Sequence, residues 1–591
     1  LLLFCLLFLA LALRLAALAS LATSPYGDAL LWDERYYHDW ARQLVSGGFL
    51  STAPYRAAPL PAYLMAGVYA LLGPESGHIR LLHVLLGTLT CSLIYLTGRE
   101  LAGRTVGLLA ALLAALYKPL IFFSTVPLKT TQAVCLFAAA LYLLLVGLRR
   151  PRWPAVAALG AVLGLLINVQ GNALLLVPIV LLCLGTECLR SRPGEEASPR
   201  ASRARLAALV GLAYLAGLLF TTAPVALRNY RVAGSLVLTT PQAGFALYAG
   251  NRLDNPDPYF RPVPFAVPDP AEQLVQMTIE AGRRAGSPLS VAQASRFWAR
   301  ETLHEAWQQP WAAVGKLLWK ALALLNPSET CDHYHVGFLA EFVPVLRLPL
   351  LPFWTLLPLA AAGAVIALRA SRLGGHLLLV LGAYAATLIL FYPGARFRLP
   401  LVAGLLPLAG CALQAGLLRL RRREPRLLVW PAAAAVGGAL LLLPPVPGAG
   451  DLAAFYNTHA ILLFERGRTA EAVEFWQTSS RLGQPYSAFA TLALAGLAVS
   501  GGEYQAALRS LERIPDGSFA AALAQDLRGD LELRRGRLLP AAAAYERALA
   551  VNTALRETRE KLIWIYRQTD PGKAAQQRAL LDQISAFYPG G

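Results

Sequence analysis

Charge is scarce in this chain. Of its 591 residues only 15% are Asp, Glu, Lys or Arg, while 56% are hydrophobic and the mean hydropathy is +0.49. Soluble chains carry roughly 25% charged residues, so a single soluble domain and a disordered chain are both excluded. Acids are scarcer than bases: 35 Asp+Glu stand against 53 Lys+Arg, a net of +18. Such an excess fits nucleic acid, acidic lipid or membrane topology, and its location decides between them. The 7 cysteines form no CxxC pair, and no Cys/His grouping is read as a zinc site. Most lie in or beside apolar runs, where a thiol is a small hydrophobe. The GxxxxGK[ST], HExxH and GxSxG patterns are absent as well. Strand signals are weak and confined to stretches such as SLVLTT.

Long apolar runs are what the chain does have. Crossing a bilayer takes about 20 mostly apolar residues per helix. Eleven candidate spans follow, near 1–22, 80–97, 105–123, 128–148, 154–168, 172–189, 206–226, 350–368, 375–392, 399–418 and 427–447. The fifth is short. The first starts at Leu1 rather than Met and lacks a basic flank, so it reads as a membrane helix rather than a cleaved signal, with the native N-terminus expected upstream.

The charge excess sits in this apolar part. Residues 450–591 hold 16 basic and 15 acidic residues, leaving 37 and 20 for residues 1–449. With a cytoplasmic N-terminus, the cytoplasmic connections 98–104, 149–153, 190–205, 369–374 and 419–426 contain 17 of those basic residues. The short outer connections hold only Arg396 and Arg398. That asymmetry is the positive-inside pattern, so the basic loops record orientation and not a nucleic-acid surface. Two long segments, 23–79 and 227–349, then lie outside, as does the tail beyond 450. Within the first, Pro59 to Gly73 is too short to span and suits a helix lying at the interface. Lys118 is the main ionisable residue inside the spans, too few for a transport path.

The tail repeats. Gly467, Gly502 and Gly536 recur at spacings of 35 and 34, in step with Ala472, Ala507 and Ala541 and with Trp476, Leu511 and Tyr545. This period resembles tetratricopeptide repeats. About three degenerate units plus helices near 555–567 and 573–587 form a small α-solenoid. A peptide-binding groove and a structural cap or oligomerisation surface are both compatible with it.

Chemistry is best sought just outside the membrane. LWDERYYHDWARQL in the first outer loop gathers Asp33, Glu34 and Asp39 among Trp32, Tyr36, Tyr37 and Trp40. Interfacial aromatics with solvated carboxylates would look the same. Further on come PYRAAPLPAYLMAGVYALLG, RLLHVLLGTLTCSLIYLTGRELAGR, YKPLIFFSTVPLK, RNYRVAGSLVLTTPQAGFALYAGNR, NPSETCDHYHVGF and FYPGARFRLPLVAGLLPLAG. In this order, over roughly residues 1–420, they resemble bacterial relatives of protein O-mannosyltransferases and aminoarabinose transferases. Those are GT-C type glycosyltransferases using polyprenyl-phosphate sugars.

The resemblance implies a fold and a site. The fold is an all-α polytopic membrane helix bundle of about 11 spans over 1–449, with outer loops 23–79 and 227–349, followed by an extracytoplasmic tetratricopeptide domain over 450–591. Asp33 becomes the general base, with Glu34 beside it. Arg396 and Arg398 become the cations for the donor phosphate, because a guanidinium fork matches phosphate oxygens; snorkelling anchors are the alternative. Arg56, Arg228 and Lys129 are weaker donor candidates. Tyr36, Tyr37, Asp39 and Glu329 are candidate sugar or acceptor contacts, and His333 a lesser one. The donor is a polyprenyl-phosphate-linked sugar, the acceptor a protein or glycolipid. The tail is a possible docking place for a protein partner. The location is a bacterial inner membrane, with site and tail on the extracytoplasmic side.

Two departures from the family pattern stand out. Many relatives carry a carboxylate at the start of the fourth span, where this chain reads STVPLKTTQAV with Lys129, Thr130 and Thr131. That leaves a divalent metal an open question. The second is NVQGN at 168–172, where relatives often place Arg. A surface-glycan polymerase or ligase using diphosphate-linked oligosaccharides, and a non-enzymatic scaffold with a repeat tail, are the competing readings.

Overall fold

The computed structural model describes residues 1–47, 55–190, 200–234, 237–267, 269–327, 334–422, 429–440, 451–482, 486–518 and 520–587. Their regular structure is helical, apart from one isolated bridge between Tyr117 and Leu351. The membrane part contains α1 (Leu2–Ala22), α2 (Asp33–Val45), α3 (Pro59–Leu72), α4 (Ser76–Ala102), α5 (Arg104–Leu116), α6 (Lys118–Phe123), α7 (Thr130–Arg149), α8 (Trp153–Ile167), α9 (Leu176–Leu189) and α10 (Arg200–Ala233). Next come α11 (Ala243–Asn251), α12 (Pro270–Ala285), α13 (Val291–Gln308), α14 (Pro310–Leu324) and α15 (Val336–Leu339). The last membrane helices are α16 (Phe353–Ala370), α17 (Arg372–Leu390), α18 (Ala395–Arg422) and α19 (Val429–Leu440).

Among the described residues eight helices are long and apolar enough to cross a membrane, counting α9 together with the 3-10 turn Gly171–Leu175 that leads into it, and the chain is a multi-pass membrane protein. They match eight of the eleven expected spans. The other three differ for local reasons. The expected span 105–123 breaks at the extended Tyr117, between α5 and α6, because Pro119 has no N–H for the carbonyl four residues back and its ring clashes there, while a proline is tolerated in the first turn of a new helix. At the break, Leu351 donates to the Leu116 carbonyl at 3.0 Å. The expected span 154–168 is α8, a helix of 15 residues. The span expected at 427–447 is described only over α19, with 12 residues.

By contact clustering the chain divides into two compact units. One comprises Leu1–Thr240, Leu317–Cys331 and Val336–Val446; the other comprises Pro241–Lys316, Asp332–His335 and Pro447–Gly591. The division differs from a single cut at 449/450, since α11, α12 and α13 of the large loop group with the tail. In that second unit Phe265 stacks on Trp298 with Phe245, Val263 and Met277 around them, and buried Asn552 of the tail donates to Gln276 of α12 at 3.0 Å.

In the first unit, small residues let helices meet backbone to backbone. A Cβ at Gly160 of α8 would stand 2.0 Å from the Tyr214 carbonyl oxygen of α10, and one at Gly217 of α10 would stand 1.9 Å from that of Ala157. Such reciprocal contacts drive helix association where lipid removes the hydrophobic incentive.

The tail consists of α20 (Asp451–Glu465), α21 (Thr469–Arg481), α22 (Ser487–Ser500), α23 (Tyr504–Leu511), α24 (Ala521–Arg534), α25 (Leu538–Val551), α26 (Arg556–Thr569) and α27 (Pro571–Ser585). The repeat glycines sit in the turns within pairs, with φ of +75° at Gly467, +79° at Gly502 and +71° at Gly536. These left-handed positions end a helix without the Cβ penalty of other residues. Ala472, Ala507 and Ala541 are all fully buried at the helix–helix crossings.

Candidate active site

The first outer loop delivers Asp33 at the start of α2. Two carboxylates in this first turn, Asp33 and Glu34, suit the positive end of the helix dipole. Trp32, immediately before, has φ +44°, the only positive φ outside glycine among the described residues. The chain therefore enters α2 through a strained residue. Glu34 is fully buried and accepts from the Leu31 N–H at 3.2 Å, while the Glu34 N–H donates to the Leu31 carbonyl at 2.8 Å. Its carboxylate thus helps shape the turn that presents Asp33.

Arg396 meets Asp33. Arg396 lies in the first turn of α18, and its Nη1 donates to Asp33 Oδ2 at 2.9 Å. The side chains are 7% and 20% exposed respectively, so the pair is largely shielded but still reached by solvent on the Asp33 side. The guanidinium also lies 4.8 Å from the Phe397 ring centroid. The expected base and one expected phosphate-binding cation therefore share one site.

Tyr37 completes this corner. It is 2% exposed, and its hydroxyl is buried without a hydrogen-bond partner among the described residues. Burial pushes its pKa well up, aided by the Asp33 carboxylate and by Tyr36, and Arg396 opposes the rise. Its ring stacks on Trp40 at 6.2 Å, and Tyr36 lies 6.0 Å from Trp40. Trp40 continues to Tyr55 at 5.5 Å, whose hydroxyl meets that of Tyr63 at 2.6 Å. The Arg228 guanidinium caps Tyr55 at 3.8 Å from the ring centroid. An aromatic wall thus runs from Asp33 along α2 and α3.

The remaining expected residues are placed elsewhere. Arg398 is buried and donates to the carbonyls of Leu324 at 3.1 Å and Asn326 at 2.6 Å, with its guanidinium 3.7 Å from the Phe353 ring centroid. Those contacts brace α18 rather than display a free cation. Lys129 is half-buried at the N-cap of α7, Arg56 is half-buried before α3, and Asp39 is exposed. Glu329 and His333 lie outside the described residues. No group of three or more His, Cys, Asp or Glu that could hold a metal ion occurs among the described residues.

Three polar groups found in the structure had no role in the sequence reading. Arg80 of α4 is 3% exposed and donates to the carbonyls of Tyr26 (3.3 Å), Ala29 (2.9 Å) and Thr125 (3.2 Å), clasping the loop that leads to Asp33. Asn229 is fully buried, and its side chain accepts from the Tyr55 N–H and donates to the carbonyls of Val237 and Thr239. Arg14 is fully buried within α1. The available signal was the same for each: a strongly polar residue inside or at the edge of an apolar helix.

Residues 56–219 match the family described as dolichyl-phosphate-mannose-protein mannosyltransferase, and residues 451–564 match a tetratricopeptide repeat-like domain. The chain thus resembles membrane glycosyltransferases of this family over residues 56–219 and carries a tetratricopeptide-like tail. Among solved structures, the oligosaccharyltransferase AglB of Archaeoglobus fulgidus, in complex with an inhibitory peptide and a dolichol-phosphate, is 15% identical with a TM-score of 0.38, covering 81% of this chain and 60% of that one. The S. cerevisiae protein O-mannosyltransferase complex bound to its sugar donor is 21% identical with a TM-score of 0.31, covering 45% of this chain and 38% of that one. The chain thus spans about 60% of the length of the archaeal enzyme. No curated protein matches the sequence.

Proposed function

We propose that the protein transfers a sugar from a polyprenyl-phosphate donor to an acceptor hydroxyl on the extracytoplasmic side of a bacterial inner membrane. The observation that carries this reading is the 2.9 Å pair between Asp33 and Arg396. Glycosyl transfer from a phosphate donor needs a base for the acceptor proton beside a cation for the departing phosphate, and this pair supplies both. The match of residues 56–219 to a mannosyltransferase family supports the same reading.

In the proposed reaction Asp33 accepts the proton of the acceptor hydroxyl. The acceptor oxygen bonds to the anomeric carbon from the face opposite the phosphate. The anomeric carbon–oxygen bond to phosphate breaks, and the polyprenyl phosphate departs with the electron pair against Arg396. A single displacement of this kind inverts the anomeric centre. Positioned acid–base groups contribute about 10²–10⁴-fold, and fixed charges on the departing anion are often worth more. Tyr36, Tyr37 and Trp40 provide the aromatic faces for the sugar or acceptor, and the tail serves to engage a protein acceptor or partner.

The test is transfer from radiolabelled polyprenyl-phosphate sugar in membranes carrying wild type or Asp33→Asn. Asn keeps the size of Asp but cannot take the proton. A fall of about 10²-fold or more is expected, and full activity in the variant would refute the assignment. Supplying a diphosphate-linked oligosaccharide in parallel separates this reading from a glycan polymerase or ligase.

A further inference from the structure

Arg14 sits near the middle of α1, among the residues of an apolar span, and is fully buried. An ionisable group inside a membrane helix is costly and is retained where it has a partner. Among the described residues Arg14 has no carboxylate partner. Its one hydrogen bond to the backbone is local, from Nη1 to the Ala10 carbonyl at 3.0 Å, and its Nε is buried without a partner. The Cys91 thiol is also within reach of the guanidinium. Helical carbonyls and thiols do not neutralise a cation.

The guanidinium borders a cavity of about 10 Å³, lined also by Gly87, Thr90, Phe123, Thr130, Thr131 and Leu399. That is room for about one small particle. Gly87 is required by the approach, since a Cβ there would stand 2.9 Å from Arg14 Nε and 2.8 Å from Ser124 Cβ. Thr131 and Thr90 commit their hydroxyls to the carbonyls of Phe123 and Leu86. Thr130, 5% exposed, makes no side-chain hydrogen bond among the described residues. An unneutralised guanidinium and a free hydroxyl therefore meet at one cavity.

We propose that this cavity binds one small monovalent inorganic anion, a halide such as chloride, held between Arg14 and Thr130. Water fits the space, but water leaves the charge uncompensated in a low-dielectric medium, where Coulomb interactions are strongest. A phosphate group is too large for the volume. The bound anion bridges α1 and α7, with Gly87 of α4 and Leu399 of α18 completing the wall of the cavity. The site is independent of the proposed transfer reaction.

The test uses the purified full-length protein in detergent at fixed ionic strength, with thermal unfolding followed in chloride, bromide or gluconate. The expected result is a saturable rise of several degrees in halide over gluconate. In Arg14→Met, which keeps the side-chain length but removes the charge, that difference should vanish. Anomalous scattering from bromide-grown crystals of the wild type is expected to peak between Arg14 and Thr130. Unfolding that does not depend on the anion, a halide effect that persists in Arg14→Met, or a cavity holding only water would each overturn the proposal. The bromide measurement stands even if the variant fails to fold.

Discussion

Asp33 and Arg396 are 363 positions apart in the chain and are joined by a 2.9 Å ion pair. One belongs to the first turn of α2, the other to the first turn of α18. The pair positions the carboxylate, and in the proposed reaction the same guanidinium turns to the departing phosphate.

Arg396 should therefore not be replaceable by a simple charge. Arg396→Gln is expected to lower kcat/KM for the donor by about 10²–10³-fold, the usual cost of losing one fixed donor to a developing anion. Arg396→Lys should recover part of this, because lysine supplies a point charge but not the planar fork. Donor titrations in membranes, with protein amount normalised, give the comparison.

Arg398 should behave differently despite lying two residues away. Its donors serve the carbonyls of Leu324 and Asn326 and its plane covers Phe353. Arg398→Met leaves buried carbonyls unsatisfied and should cost about 1–3 kcal/mol per orphaned group. The expected outcome is a lower melting temperature with the donor KM of the folded fraction little changed. A large rise in KM at unchanged stability would restore Arg398 to the donor site.

The tail should be acid-sensitive through His459. Burial, with a further contribution from Arg468, lowers its pKa to about 4 from the usual 6.5. Above 6.5 the imidazole is neutral in both folded and unfolded chains, so it contributes no pH dependence there. Between 6.5 and about 4 the unfolded chain binds a proton that the folded one refuses, and stability falls as pH drops. Hydrogen exchange in α20 and α21 should quicken from pH 7 to pH 5 beyond the intrinsic rate change. His459→Leu should flatten that dependence.

Gly529 tests the packing of the repeat. A Cβ there would stand 2.3 Å from the Tyr545 ring, whose hydroxyl donates to Asp530 at 2.6 Å. Gly529→Ala should destabilise the tail by about 1–3 kcal/mol through overpacking, although alanine is the better helix former. Thermal unfolding of the full chain, read by tail-specific hydrogen exchange, measures it.

Composition and periodicity by themselves determined the helical class, eight of the spans, the short apolar helix α3 and the repeat tail. Each depends on local pattern: an apolar run long enough for a bilayer, or glycines at a fixed interval where turns need positive φ. The repeat glycines appear at those turns because the Cβ penalty acts on each residue separately. Resemblance to a family added Asp33 and Arg396 as candidates but could not say that they touch. That contact depends on how α2 and α18 pack, a long-range matter outside any local window. Packing likewise assigned Arg398 to two carbonyls, buried Glu34 in the first turn of α2, and left Arg14 beside a cavity. In the sequence Arg14, Arg80, Arg396 and Arg398 look alike: a cation at or within an apolar stretch. Only the tertiary structure separates them, because the role of a buried guanidinium is set by which acceptors surround it.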